Sequence, residues 1–308
     1  MNFATTRALF SDINRDPNML RTEKDPAPSP TSRWLVSIDW LAGRLRDSNV
    51  IAVDGSYFLP THKRNAHAEY RGGHIPGAVF FDIEAVSDHS TELPHMLPGP
   101  TQFGEVVGAL GIGNDDTVVV YDSQGLYSAP RVWWTFRIFG AKTVYILDGG
   151  LPKWKAEGRP LETGDAKRAP KQFHAEMNVG AVAMLADVRM VLADESAQVV
   201  DARSAERFSG KAPEPRPGLR SGHMPGSFNV PFERVVEHGR LASRQRIEAA
   251  FAEAGVDLDK PIITSCGSGV TAAILTLALE TIGKEPKGLY DGSWSEWGSR
   301  PDLPVERG

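Results

Sequence analysis

Ile262 to Ala273 reads IITSCGSGVTAA: a β-branched run, polar Ser265, a cysteine at 266, glycines at 267 and 269, and the opening of a second apolar pattern. The run predicts a buried strand over Pro261–Thr264, and Val270, Ala273, Ile274, Leu277 and Ala278 behind it recur at helical spacing. Cys266 therefore falls on the turn between a central strand and a helix N-terminus, where open α/β sheets bind ligands.

The same punctuation recurs upstream. VVVYDSQGLYSAP, Val118 to Pro130, faces the cysteine stretch, with Thr117–Tyr121 as the matching strand. RGGHIPGAVFF (Arg71–Phe81) faces RSGHMPGSFNV (Arg220–Val230), VIAVD (Val50–Asp54) faces QVVD (Gln198–Asp201), and YILDGGLPKW (Tyr145–Trp154) faces LYDGSWSEW (Leu289–Trp297). One offset pairs Gly140 with Gly283, Asp148 with Asp291 and Trp154 with Trp297, and it sets Ser123 opposite Cys266. The chain thus reads as a duplicated α/β unit in which short strands alternate with helices. The first unit is expected at 33–155 without the thiol and the second at 180–304 with it. A Gly- and Pro-punctuated linker is expected at 156–179, lying over the surface, and an extension containing DPAPSP at 1–32.

Composition agrees with two domains, since 308 residues at about 150 per domain leave room for two cores. A net charge of -5, from 34 basic against 39 acidic residues, offers no bulk positive field for nucleic acid. Apolar runs fall far short of the roughly 20 residues that span a bilayer, so no membrane partner is expected. The first 30 residues carry Asp12, Asp16, Glu23 and Asp25 and lack an apolar leader segment, so a cytoplasmic enzyme is expected. A single cysteine forms no internal disulfide and no multi-thiolate metal site. Its chemistry must start from one thiol.

In CGSGVT, Cys266 to Thr271, the glycines let the backbone curl and turn successive amides inward. With the positive end of the following helix, such a nest stabilises a thiolate nucleophile. An inert buried cysteine is the competing reading, disfavoured by polar Ser265 and Ser268 beside the sulfur. Cysteine phosphatases use a similar cradle but close it with an Arg six residues on, where this chain has Ala272. Attack on sulfur needs no such clamp. His74 and His223 occupy equivalent places in both halves and are expected to fasten their turns. Asp54 and Asp201 are expected to cap loops. Trp294 and Trp297 either wall the pocket or pack as core, and Trp154 repeats the pattern in the thiol-free half. No His, Asp or Glu spacing suggests a metal.

Together, YRGGHIPGA (Tyr70–Ala78), PEPRPGLRSGHMPG (Pro213–Gly226), CGSGVTA (Cys266–Ala272) and YDGSWSEW (Tyr290–Trp297) resemble the rhodanese superfamily over about residues 34–304, and within it the mercaptopyruvate-type sulfurtransferases. The resemblance implies two tandem rhodanese-like domains, each a mostly parallel sheet flanked by helices. It implies sulfur transfer from 3-mercaptopyruvate through a Cys266 persulfide to a thiol, such as a thioredoxin-like protein, or to cyanide. Pyruvate is released and no prosthetic group is needed. Arg207 and Arg216 match the arginines that hold the substrate carboxylate and carbonyl; paired Arg donors fit a planar carboxylate as Lys does not. Ser268 matches a loop serine acting with the cysteine and an acidic residue of the first domain, at Glu84, where animal relatives have Asp. Gly267, Gly269, Val270 and Thr271 complete the substrate loop. Thiosulfate-preferring relatives place basic side chains in that loop, here Gly267 and Ser268. A thiosulfate sulfurtransferase and a noncatalytic rhodanese-like binding protein are the alternatives.

Overall fold

The computed structural model describes residues 32–308, so the extension expected at 1–32 lies, apart from Ser32, outside the described residues. The first half contains β1 (Leu35–Val36), β2 (Val50–Asp54), β3 (Val79–Phe80), β4 (Thr117–Tyr121) and β5 (Thr143–Leu147), in the sheet order β1-β5-β4-β2-β3. The second contains β6 (Val182–Ala183), β7 (Gln198–Asp201), β8 (Phe228–Asn229), β9 (Val236–Glu237), β10 (Arg240–Leu241), β11 (Ile262–Ser265) and β12 (Gly288–Tyr290). Its main sheet runs β6-β12-β11-β7-β8, the same order, and β9 and β10 form a separate antiparallel hairpin. Every pairing in both five-stranded sheets is parallel. The duplication read from the motifs is therefore a duplication of topology, with β4 and β11 each central.

A parallel sheet covered on both faces needs apolar side chains on both, which is why β4 reads VVVY without alternation. Successive residues still point opposite ways. Val118 and Val120 enter a core shared by the two halves, whereas Val119 and Tyr121 enter a core belonging to the first half alone. The shared core receives the helices that follow the central strands, Ala129–Ile138 and Ala272–Thr281. In the latter, Ala272 through Leu279 are all buried, as befits a helix enclosed on every side. Each fully buried Leu or Ile there contributes about 1.5–3 kcal/mol. The halves are thus joined through an interior, and the open ends of β4 and β11 are held near one another.

The repeated histidines fasten turns in both halves. His74 Nδ1 lies 2.9 Å from the Tyr70 carbonyl with its ring stacked on Tyr70, and His223 Nδ1 lies 2.9 Å from the Phe208 carbonyl with its ring stacked on Phe208. The segment after helix Gly150–Ala156 runs back over the first half. Glu162 exchanges backbone hydrogen bonds with His74, Lys171 donates its amide to Gly108, and Phe173 is buried against Phe103. Among the described residues, no helix is long and apolar enough to cross a membrane.

Candidate active site

β11 ends at Ser265 and the following helix begins at Ala272, so Cys266–Thr271 forms the strand-to-helix turn. The carbonyls of Cys266 and Gly267 point back into the protein, accepting the amides of Trp294 and Ser295 at 2.9 Å each. Among the described residues, no acceptor takes the amides of Gly267, Ser268, Gly269, Val270 or Thr271. Five adjacent free donors in a buried loop form a cradle for negative charge. Gly269 has φ +79°, and a Cβ there would stand 2.8 Å from Arg131 Nη1, so backbone and space both require glycine.

The loop floors a cleft of about 450 Å³ between the halves, lined by Cys266, Gly267, Ser268, Val270 and Thr271. Cys266 is only 1% exposed, so its sulfur is reached through this cleft. Arg207 and Arg216 line it from the second half, Tyr57 and Tyr127 from the first. Gly269 does not line it; this glycine sets the turn.

The two arginines differ. Arg207 is engaged by Glu214, which accepts Nη2 at 2.5 Å and Nε at 3.3 Å and is itself 1% exposed. Glu214 also takes Arg203 Nη1 at 2.8 Å, and Arg203 in turn grips Asp201, donating Nε at 2.8 Å. The ionic chain Asp201–Arg203–Glu214–Arg207 thus leads from the end of β7 to the loop, where a Cβ on Gly267 would stand 2.9 Å from Arg207 Nη2. Arg216 has no carboxylate partner among the described residues; its Nη2 donates to Tyr57 Oη at 3.3 Å. Trp294 does not wall the cleft. It lies in the core beneath the Arg203 guanidinium, 4.3 Å from it.

Glu84 does not meet Ser268 directly. His95 Nδ1 lies 3.0 Å from Ser268 Oγ, and His95 Nε2 lies 3.6 Å from Glu84 Oε1 on the far side of the ring. Asp82 caps the short helix Ile83–Val86 that carries Glu84, accepting the amides of Glu84 and Ala85. Contact with His95 holds the Glu84 carboxyl below the usual carboxylate range, and burial lowers the His95 pKa from its ordinary value. His95 has φ +61°, a left-handed conformation costly for a non-glycine residue. Its loop is pinned across the interface, for Arg131 Nη2 donates to the His95 carbonyl at 2.7 Å and to Asp291 at 2.6 Å, while Asp291 accepts the Leu97 amide at 2.8 Å.

Sequence reasoning missed His95, Arg203 and Glu214. His95 lies in LPHMLP, outside the repeat, and meets Ser268 only through the fold. Glu214 stood in view within PEPR, and Arg203 two residues after the strand-ending Asp201, where the first half has Ser56.

A model of the rhodanese-like domain matches residues 37–157 and again 170–300. The chain belongs to the rhodanese family, in its tandem-domain form. Within that family it is 48% identical over 277 residues to 3-mercaptopyruvate sulfurtransferase of Escherichia coli K12, covering 90% of this chain and 99% of that one. It is 43% identical over 285 residues to the Homo sapiens 3-mercaptopyruvate sulfurtransferase, covering 90% and 96%. It is 43% identical over 298 residues to the mitochondrial thiosulfate/3-mercaptopyruvate sulfurtransferase 1 of Arabidopsis thaliana, covering 90% and 79%. The crystal structure of SseA, a 3-mercaptopyruvate sulfotransferase from Escherichia coli, matches with TM-score 0.79 at 45% identity, covering 85% of this chain and 98% of that one. The Tum1 protein of Saccharomyces cerevisiae matches with TM-score 0.80 at 30% identity, covering 88% and 97%.

Proposed function

We propose that this chain is a 3-mercaptopyruvate sulfurtransferase in which Cys266 carries the sulfur. The observation that carries the assignment of roles is the set of unpaired amides around the one cysteine, facing a cleft with cationic side chains. The Cys266 thiolate attacks the thiol sulfur of 3-mercaptopyruvate. An S–S bond forms as the C–S bond breaks, and pyruvate leaves as its enolate. Arg216 and the free Nη1 side of Arg207 hold the carboxylate and carbonyl, and the loop amides spread the developing charge. The proton of the donor thiol, released as the persulfide ionises, is taken up through Ser268 by neutral His95, Glu84 steadies the imidazolium that forms, and the same proton returns through Ser268 to the enolate carbon. A thiolate acceptor then attacks the outer sulfur and restores the Cys266 thiolate; cyanide in the same role leaves as thiocyanate. A thioredoxin-like protein suits the thiol role, and a reducing compartment such as the cytoplasm suits a lone free cysteine.

Thiosulfate is a second donor to test, because the Arabidopsis relative is named for both and Arg216 has no carboxylate to neutralise it. Intact-protein mass on wild type and Cys266→Ser, each with 3-mercaptopyruvate or thiosulfate, tests the assignment. One added sulfur on wild type alone, with pyruvate released, is expected. Faster loading from thiosulfate would reverse the donor assignment, and no cysteine-dependent sulfur would leave a binding protein.

A further inference from the structure

The loop that replaces the thiol in the first half is filled by its own chain. Asp122 Oδ1 accepts the amide of Gln124 at 2.8 Å, and Oδ2 accepts those of Tyr127, Ser128 and Ala129 at 2.7, 2.9 and 2.8 Å. The offset that sets Ser123 opposite Cys266 sets Asp122 opposite Ser265, and beyond Ser265 the corresponding amides stand free. A fully buried carboxylate with four charge-assisted bonds is a firm anchor.

Two arms lead from that anchor to the cleft. Tyr127 follows directly and walls the cleft, its ring edge against Phe232 of the second half. Ser128 donates its hydroxyl to the Gly55 carbonyl at 2.7 Å and accepts the Tyr57 amide at 3.1 Å. Gln124 Nε2 donates to the Tyr57 carbonyl at 3.4 Å. Tyr57 thereby reaches Arg216 with its hydroxyl and His95 with its ring edge, the centroids 4.7 Å apart.

We propose that Asp122 is a positioning residue for donor binding: its carboxylate permanently occupies the anion cradle of the thiol-free half and so fixes Tyr57 and Tyr127 as the wall facing Cys266. The proposal rests on the sulfurtransferase reading above. The retired loop serves as scaffolding for the working one, and it acts through the two tyrosines without touching substrate.

Asp122→Ala is expected to raise KM for 3-mercaptopyruvate about tenfold with kcat within about twofold of wild type. Sodium formate, a carboxylate of the size removed, restores KM where sodium chloride at equal ionic strength does not. An unchanged KM, or a raised one that formate restores no better than chloride, overturns the proposal. If Asp122→Ala does not fold, Ser128→Ala removes the hydroxyl that bonds the Tyr57 amide. A rise in KM of about threefold at unchanged kcat is then expected, and an unchanged KM overturns the proposal. Persulfide mass on wild type separates the two failures. Wild type that takes up no sulfur defeats the function reading whatever the variants do, whereas a normal wild type beside an unaltered Asp122→Ala defeats this inference alone.

Discussion

Both halves end a buried strand in an aspartate, Asp54 and Asp201, and the two carboxylates meet different fates. Asp201 is matched by buried Arg203, which begins the ionic chain to Arg207 and the cysteine loop. Asp54 has no arginine; it accepts the Ser56 amide at 2.9 Å, and burial raises its pKa to about 6. The loops after the central strands differ in the same sense. One leaves its amides free, and the other fills them with Asp122. The two halves share the frame and differ in charge: anionic and self-satisfied in the half without the thiol, cationic and open in the half with it.

The sharpest way to break this comparison is to move the thiol. Cys266→Ser is expected to lower sulfur transfer by about 10³-fold or more. Ser123→Cys in that background should gain no persulfide by intact mass, since Asp122 already occupies the amides around it. Uptake of sulfur at 123 would show the first loop to be competent.

Next in size is the ionic chain. Arg203→Met leaves Asp201 and Glu214 buried with one partner fewer and should cost about 3–5 kcal/mol in denaturant unfolding. Ser56→Ala, at the matching place in the first half, should cost about 1 kcal/mol. Equal losses would erase the electrostatic distinction between the halves.

His95→Gln tests whether the thiol-free half gives chemistry as well as walls. A fall in kcat of about 10²-fold with KM little changed is expected from single-turnover pyruvate release. Burial holds His95 neutral below its ordinary pKa, so the acid limb of the wild-type kcat profile should lie below about pH 6.5.

The last difference between the halves is one of pH and belongs to Asp54. Because burial raises its pKa to about 6, the native state keeps a proton that the unfolded chain releases near pH 4. Stability contributed by this group is therefore lost as pH rises through that window, and stays lost above it. Asp54→Asn should be more stable than wild type by roughly 3 kcal/mol at pH 8, with the advantage gone below pH 4. An advantage that does not depend on pH would mean that Asp54 is ionised without penalty.

The duplicated frame was legible because four motif blocks recur in one order, and parallel strands such as VVVY announce burial by composition. The cysteine loop was legible because its glycines have a steric reason visible in the letters. His95 was not, since a lone histidine in an unrepeated loop acquires meaning only when Arg131 and Asp291 carry it across the interface to Ser268. Glu214 was overlooked for a different reason. The arginines of the cleft drew the reading toward substrate, while the buried carboxylate that sets the direction of Arg207 stood two letters from Arg216.

The return of the chain after helix Gly150–Ala156 bears on what the ancestral unit was. Glu162 pairs with His74 as Glu306 pairs with His223, and the indole nitrogens of Trp154 and Trp297 donate to the carbonyls of Pro160 and Pro304. What joins the halves is thus, in its opening stretch, the tail of the first copy, matched by the C-terminal tail of the second. A single gene segment ending in such a tail, copied head to tail, supplies its own spacer. Severing the chain directly behind Ala156 would strip the earlier copy of a latch that the later copy keeps.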